Sequence, residues 1–326
     1  MQLVLDTNGI IVKKKNNVFL VATKEQVRMI SPHKIDSIAV IGNILLSSAA
    51  IRLAAMHRIP IFFFSTTAKV QATVQSPYAG SISTIRKNQA FFCESQDGIN
   101  WVIELFELKQ KHQIANLKYL QDRKSTLSGK IEEAIMAIKK IQLAPKEALH
   151  QKEPKETKQH VMGKEGAIAR IYLQAVSTAM PLIFQFPKRS RQPGLDYFNS
   201  ALNYLYGMLY SVIHDASLST GLDPYFGIMH ADEYNRPSFV YDLIEPFRPW
   251  VNRLLIDLCL YGQLDESHFV AEGSGFYLSN SGKSLVIPAF NDFLEDRRQF
   301  EQKRMTNKNH IHRFAGNLAT HLKNYR

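Results

Sequence analysis

The sequence predicts an α+β protein: a small β-rich N-terminal domain followed by a larger all-α C-terminal domain. Three observations predict it. Short runs rich in Val and Ile, partly alternating, fill the N-terminal stretch, as half-buried strands require. Beyond it, apolar residues recur at helical spacing. Between the two, SPYAGSISTIR (Ser76–Arg86) is rich in Ser, Gly and Pro and reads as a linker. The boundaries that follow are residues 1–78, a linker over 79–92, and a helical catalytic domain over 93–326.

In order, Gln2–Leu5 and Gly9–Lys13 read as strands around the turn Thr7-Asn8-Gly9. Val18–Ala22, Gln26–Ile30 and Ser37–Ile41 continue the strands. Leu45–Met56 is the one helix, with Leu46, Ile51, Leu53 and Ala54 on its apolar face. Ile59–Phe64 and Val70–Val74 return to strand, giving a small sheet with a helix packed on it. Phe91–Asp122 is helical, with Ile99, Val102, Ile103, Phe106 and Leu108 apolar, and Ile131–Ile141 repeats the pattern. Ala144–His160, polar and holding Pro145 and Pro154, reads as an exposed connector. Gly166–Ala179 and Tyr197–Ile213 are strong helices. Val240–Leu260 is a helix interrupted by Pro246 and Pro249.

Composition narrows the function. The 326 residues can bury a core without disulfides, and Cys93 and Cys259 are too few for a disulfide framework or a zinc cluster, which suits a reducing compartment. The N-terminus lacks the apolar core of a signal peptide, and no run approaches the ~18 apolar residues of a membrane span. A cytoplasmic protein without membrane attachment is expected. The net charge of +11 favours polyanion partners. From Arg297 to the C-terminus, eight basic residues stand against the single acid Glu301. That block reads either as a solvated helix face or as a phosphate-binding surface.

Three segments, holding four residues, stand out chemically. Glu165, in MGKEGAIARIYLQ, shares a helix face with Ala169 and Tyr172 and borders the apolar stripe; a helix N-terminal carboxylate favoured by the dipole is the other reading. His230 follows TGLDPYFGIM, where Gly221, Pro224 and Gly227 fix the chain, and reads either as a presented ligand or as a packed histidine. Asp242 and Glu245, in PSFVYDLIEPFRP, are three apart on one face and either share a cation or pair with Arg248. Two carboxylates with one imidazole and no thiolate suit Mg²⁺ or Mn²⁺, the chemistry of a nuclease or strand-transfer site. A Walker loop, a dinucleotide fingerprint, HExxH and a nucleophile elbow are all missing from the sequence.

These residues lie in stretches that resemble the CRISPR spacer-acquisition integrase family, CRISPR-associated protein one. IDSIAVIGNILLSSAAIRLAAMHRIPIFFF is similar to its strand–helix–strand segment. GKEGAIARIY, RSRQPGLDYFNSALNYLYGMLY and GLDPYFGIMHADEYNRPSFVYDLIEPFRPWVN match the helical part in order. The resemblance implies metal ligation by Glu165, His230 and Glu245, the last being Asp in some members. It places Asp242, Tyr172, Asn199 and Arg248 near the site. It also implies double-stranded DNA as substrate, a homodimer, and a small ferredoxin-like partner, CRISPR-associated protein two. The reaction implied is attack of a short DNA's 3′-hydroxyl on a phosphodiester at the repeat array. On charge alone, Arg189, Arg191, Arg297, Arg298, Lys303 and Arg304 are candidate DNA contacts. A general metal-dependent repair nuclease and a non-catalytic DNA-binding scaffold are the alternatives.

Overall fold

The computed structural model describes residues 1–65, 70–76, 83–141, 143, 154–230, 234 and 236–325. The N-terminal part holds β1 (Gln2–Leu5), β2 (Ile11–Lys15), β3 (Val18–Ala22), β4 (Val27–Ile30), β5 (Ser37–Val40), β6 (Leu45–Leu46), α1 (Ser48–Met56), β7 (Ile61–Phe64) and β8 (Val70–Val74). It contains two four-stranded sheets where the sequence suggested one. In the order β1-β5-β7-β8, β1, β5 and β7 run parallel and β8 is antiparallel. In the order β4-β3-β2-β6, a meander carries β6 as a parallel edge. So β1 and β2 do not form a hairpin around Thr7-Asn8-Gly9; the chain crosses there from one sheet to the other. The tight hairpin is β2–β3, where Asn16 and Asn17 take positive φ (47° and 60°), the conformation asparagine tolerates best after glycine.

The parallel sheet is covered on both faces, which explains the continuously buried β5. One face packs Leu3, Leu5, Ile38 and Ile61 with Leu53 and Ala54 of α1. The other turns Ala39, Phe62 and Phe64 outward, and Phe62 meets the ring of His214 at 5.3 Å.

The C-terminal part begins earlier than the linker reading allowed. Residues 83–92 belong to α2 (Ser83–Glu94), because Ile85, Gln89, Phe92 and Cys93 present one buried helical face despite the polar start; residues 79–82 lie outside the described set. Then follow α3 (Gln96–Arg123), α4 (Ser128–Lys140), α5 (Pro154–Ala179), α6 (Tyr197–Ser219), α7 (Ser238–Leu243), α8 (Arg248–Leu260), β9 (Phe269–Glu272), β10 (Gly275–Leu278), α9 (Asn280–Glu295), β11 (Arg297–Phe300), β12 (Lys303–Thr306) and α10 (Asn307–Lys323). The connector expected over Ala144–His160 is helical from Pro154, a residue suited to the first helical turn; 144–153 lie outside the described residues. The all-α expectation is corrected by two hairpins, β9–β10 and β11–β12. Glu301 and Gln302 make the second turn with positive φ (47° and 61°), and neither residue type signals a turn in sequence. Among the described residues no helix is long and apolar enough to cross a membrane, and both cysteines are buried outside any disulfide.

Polar contacts join the two parts. The backbone N–H of Gln2 donates to Asn291 Oδ1 (2.8 Å), its side chain bonds Ser211, and Lys308 pairs with Asp36. Asp215 faces this seam beside Gln2, Asp36, Ser37, Lys308 and His312. Burial lifts its carboxyl to about 7, Lys308 opposing and Asp36 assisting. A raised acid binds its proton more tightly folded than unfolded, so its contribution to stability falls as pH rises from about 4 to about 7. Replacing Asp215 by Asn should therefore raise the midpoint of thermal unfolding at pH 8, by an amount reflecting a few kcal/mol, and leave it nearly unchanged at pH 4. Parallel melts at the two pH values check this, and an equal effect at both would refute it.

Candidate active site

Helix α3 carries a polar series inside its buried stripe. Val102, Phe106, Lys109, Gln113, Asn116 and Leu120 are spaced three or four apart and all are buried. Lys109 thus enters the core where α3 meets α5 and the 3-10 turn Glu245–Phe247. Its ammonium bonds a carboxylate oxygen of Glu165 on α5 and one of Glu245. The other oxygen of Glu245 accepts from Arg248 Nε at 2.8 Å. Two carboxylates and two cations are neutralised within one cluster.

Burial alone would push the Lys109 ammonium down, but Glu245 and then Glu165 outweigh it and hold it above the usual lysine range. Burial would raise Glu245, yet Arg248 and Lys109 keep it well below the usual carboxylate range. A buried pair repays its desolvation only while complete. The cluster is therefore more consequential when one member is removed than for any net stability it supplies. The side chains of Glu165 and His230 keep 23 % and 20 % of their surface exposed, against 8 % for Glu245. Glu165 is thus the more exposed of the two carboxylates.

Glu165 sits well inside α5, which starts at Pro154, so the reading as a helix N-terminal carboxylate falls. Two turns on, Tyr172 is fully buried, and its hydroxyl accepts from Asn116 Nδ2 (2.9 Å) and Asn252 Nδ2 (3.3 Å). Burial keeps that phenol protonated. Tyr172 thus bolts α5 to α3 and α8 and fixes the rotation that aims Glu165.

His230 is set by the loop after α6. Gly221 turns the chain with φ +88°, and a Cβ on Gly227 would come within 2.4 Å of Ser238 Cβ, so glycine lets the loop lie against α7. Asp242 on α7, fully buried, receives the backbone N–H groups of Ile228 (2.6 Å), Met229 (3.1 Å) and His230 (3.3 Å) and takes His230 Nδ1 at 2.6 Å. Asp242 and Glu245 are therefore not two carboxylates beside one cation. Asp242 orients the imidazole and leaves Nε2 for ligation, as carboxylates behind metal-bound histidines do.

Glu165 and Glu245 converge on one cation, while His230 is held at Nδ1 by Asp242. Among the described residues no three His, Cys, Asp or Glu side chains stand close enough to hold an ion together. The donor chemistry nevertheless fits a hard divalent cation: two carboxylates gripping one positive charge, with a histidine oriented beside them.

Asn199 lies in the first turn of α6, capped by Asp196. It donates to Lys188 O (3.0 Å) and Asp196 Oδ2 (2.6 Å), and its Oδ1 accepts from Arg189 (3.0 Å). Arg189 also donates to Asn203 Oδ1 (2.6 Å), and burial lowers its pKa to about 10. Its fork is occupied within the protein by Ser190, Asn199 and Asn203. Arg298 is likewise engaged, stacked 4.4 Å over Trp250, with burial and then Arg253 lowering it to about 10. Arg191, Arg297, Lys303 and Arg304 are exposed. Within the basic C-terminal block, Lys308 pairs with Asp36 and Arg313 with Glu301 (3.0 Å), so part of the charge serves the fold.

Sequence reading missed Lys109. The available signal was a lysine at a core position of an apolar stripe, where a cation needs carboxylate partners. Tyr206 was missed too; its ring lies 4.7 Å below the Arg248 guanidinium, and its hydroxyl donates to Asn252 (2.6 Å).

Asp242→Ala should destabilise the protein by about 3–5 kcal/mol, because three buried N–H groups lose their acceptor at once. Urea denaturation measures it. Hydrogen exchange at residues 228–230 should accelerate with it, and native-like protection there would show that Asp242 does not hold the loop.

Comparison with known proteins agrees with this architecture. The family described as CRISPR associated protein Cas1 matches residues 3–292. The CRISPR-associated endonuclease Cas1 1 of Archaeoglobus fulgidus is 25% identical over 337 residues, covering 100% of this chain and 97% of that protein. A casposase bound to an integration product superposes with TM-score 0.83 at 23% identity, over 100% of this chain and 91% of its own. The Cas6-RT-Cas1–Cas2 complex gives TM-score 0.80 at 21% identity, over 100% of this chain and 35% of that one. With the family match running from β1 into α9 and a full-length endonuclease relative beside it, this chain belongs to the Cas1 family of CRISPR-associated endonucleases.

Proposed function

We propose that this Cas1 protein joins and cuts DNA at a single divalent-ion site formed by Glu165, His230 and Glu245, the ion being Mg²⁺ or Mn²⁺. The observation that carries this reading is the convergence of Glu165 and Glu245 on one positive charge. The carboxylates supply hard oxygen donors, and His230 supplies Nε2 because Asp242 occupies Nδ1. The chemistry such an ion supplies when bound is neutralisation of charge at the reacting phosphodiester. Arg248 fixes the orientation of Glu245 by its Nε bond, and Tyr172 fixes α5. The exposed Arg191, Arg297, Lys303 and Arg304 hold the DNA backbone without reading its sequence.

In the joining reaction the 3′-hydroxyl of a short DNA attacks phosphorus. One O–P bond forms as another breaks, the attacking hydroxyl loses its proton, and the departing strand's oxygen gains one. Water in place of the hydroxyl gives cutting. The casposase neighbour is described with an integration product, which favours joining over a general repair nuclease. The Cas6-RT-Cas1–Cas2 complex among the neighbours supports assembly with CRISPR-associated protein two; a small ferredoxin-like form of that partner, and a cytoplasmic homodimer of this chain, follow from the family resemblance.

Glu165→Gln, His230→Ala and Glu245→Gln should each lower strand transfer on a repeat-containing plasmid by at least about a hundredfold. Duplex binding should persist in all three. Full activity in His230→Ala would rule out the site, and cutting without joined products in the parent protein would favour the repair nuclease. A protein indifferent to chelators in every assay would leave the DNA-binding scaffold. Replacing Lys303 and Arg304 together by Ala should reduce the slope of log affinity against log salt by roughly 0.9 for each phosphate no longer neutralised. An unchanged slope would remove the β11–β12 turn from the DNA interface.

A further inference from the structure

We propose that Lys109 is a resident cation that couples ion loading to DNA binding: its ammonium holds Glu165 and Glu245 together until a DNA phosphate offers it another partner. This rests on the divalent-ion site proposed above. The ammonium bonds both glutamates that the ion would need. With Lys109 and Arg248 in place the two carboxylates are already neutralised, so a divalent ion meets no net negative charge. With the ammonium withdrawn, one negative charge is restored.

The two cations differ in freedom. Arg248 is fixed by its Nε bond to Glu245 and by the Tyr206 ring beneath it. Lys109 ends a flexible four-carbon stem with a compact charge that can exchange one anion for another. It lies next to the more open carboxylate, Glu165, whose side chain is 23 % exposed. A phosphodiester arriving on that side supplies an anion to replace the carboxylates. Linkage then requires reciprocity: DNA tightens ion binding by the same factor as the ion tightens DNA binding. The consequence is a site loaded mainly when a strand is present, which limits cutting in its absence.

The test is Mn²⁺ binding to the intact protein, followed by the electron paramagnetic resonance of free Mn²⁺, with and without a short duplex, after subtraction of a DNA-only titration. In the parent protein the duplex should tighten Mn²⁺ binding by about tenfold or more. Lys109→Met and Lys109→Gln should bind Mn²⁺ about tenfold more tightly than the parent without DNA, and the duplex should then add less than about threefold. Lys109→Arg, which keeps the charge, should stay within about threefold of the parent without DNA. Thermal melts establish that each variant is folded, and Gln retains a polar head where Met does not. Equal or weaker Mn²⁺ binding in both neutral variants, or an undiminished duplex effect, overturns the role of Lys109. Equal Mn²⁺ binding by the parent and by His230→Ala instead overturns the ion site, so the two failures are told apart.

Discussion

Electrostatic repulsion between two carboxylates governs the centre of the helical part. Glu165 and Glu245 arrive from elements far apart in sequence, and their approach is unfavourable unless a positive charge lies between them. Lys109 on α3 supplies that charge, and Arg248 engages the remaining oxygen of Glu245. The positions of α3, α5 and the turn before α8 are thereby linked through one ion cluster. Around it, the neutral Asn116–Tyr172–Asn252 network sets helix rotations without adding charge. Its members are buried and bonded to one another, the condition under which a polar network specifies a packing instead of weakening it.

The histidine arm follows a different logic. His230 ends a loop, and loops lack the repeating bonds that make helices rigid. Asp242 substitutes for that regularity by collecting three consecutive backbone N–H groups and the imidazole Nδ1. A single buried carboxylate thus turns a flexible segment into a fixed presenter. Four donors around one carboxylate stabilise its charge directly, as short charge-assisted hydrogen bonds do.

Much of this is legible in the sequence, and the misses have physical causes. β1, β3 and β8 are legible to the residue as short Val-containing runs of strand-favouring residues. Two sheets in place of one are not, because strand pairing depends on partners that local alternation does not encode. The β11–β12 hairpin is hidden by a turn built from Glu301 and Gln302. Glu165, His230 and Glu245 stand out by their contexts and by family resemblance. Lys109 escapes notice because helical periodicity marks which face is buried, not which buried residue is charged.

Charge accounting also reorders the basic surface. A net charge of +11 suggests a uniformly DNA-seeking protein, yet the cations divide by what surrounds them. Arg189 and Arg298 lie against rings and carbonyls, Lys308 and Arg313 against carboxylates, so these cations already have partners within the protein. Only exposed cations release counterions on meeting phosphate. Those of the β11–β12 hairpin sit on a paired two-stranded element, so in the proposed function they engage the backbone with less loss of conformational freedom than a disordered segment would suffer. In the proposed function the hairpin cations and the exchangeable ammonium of Lys109 are complementary, the first registering the duplex and the second responding to its arrival.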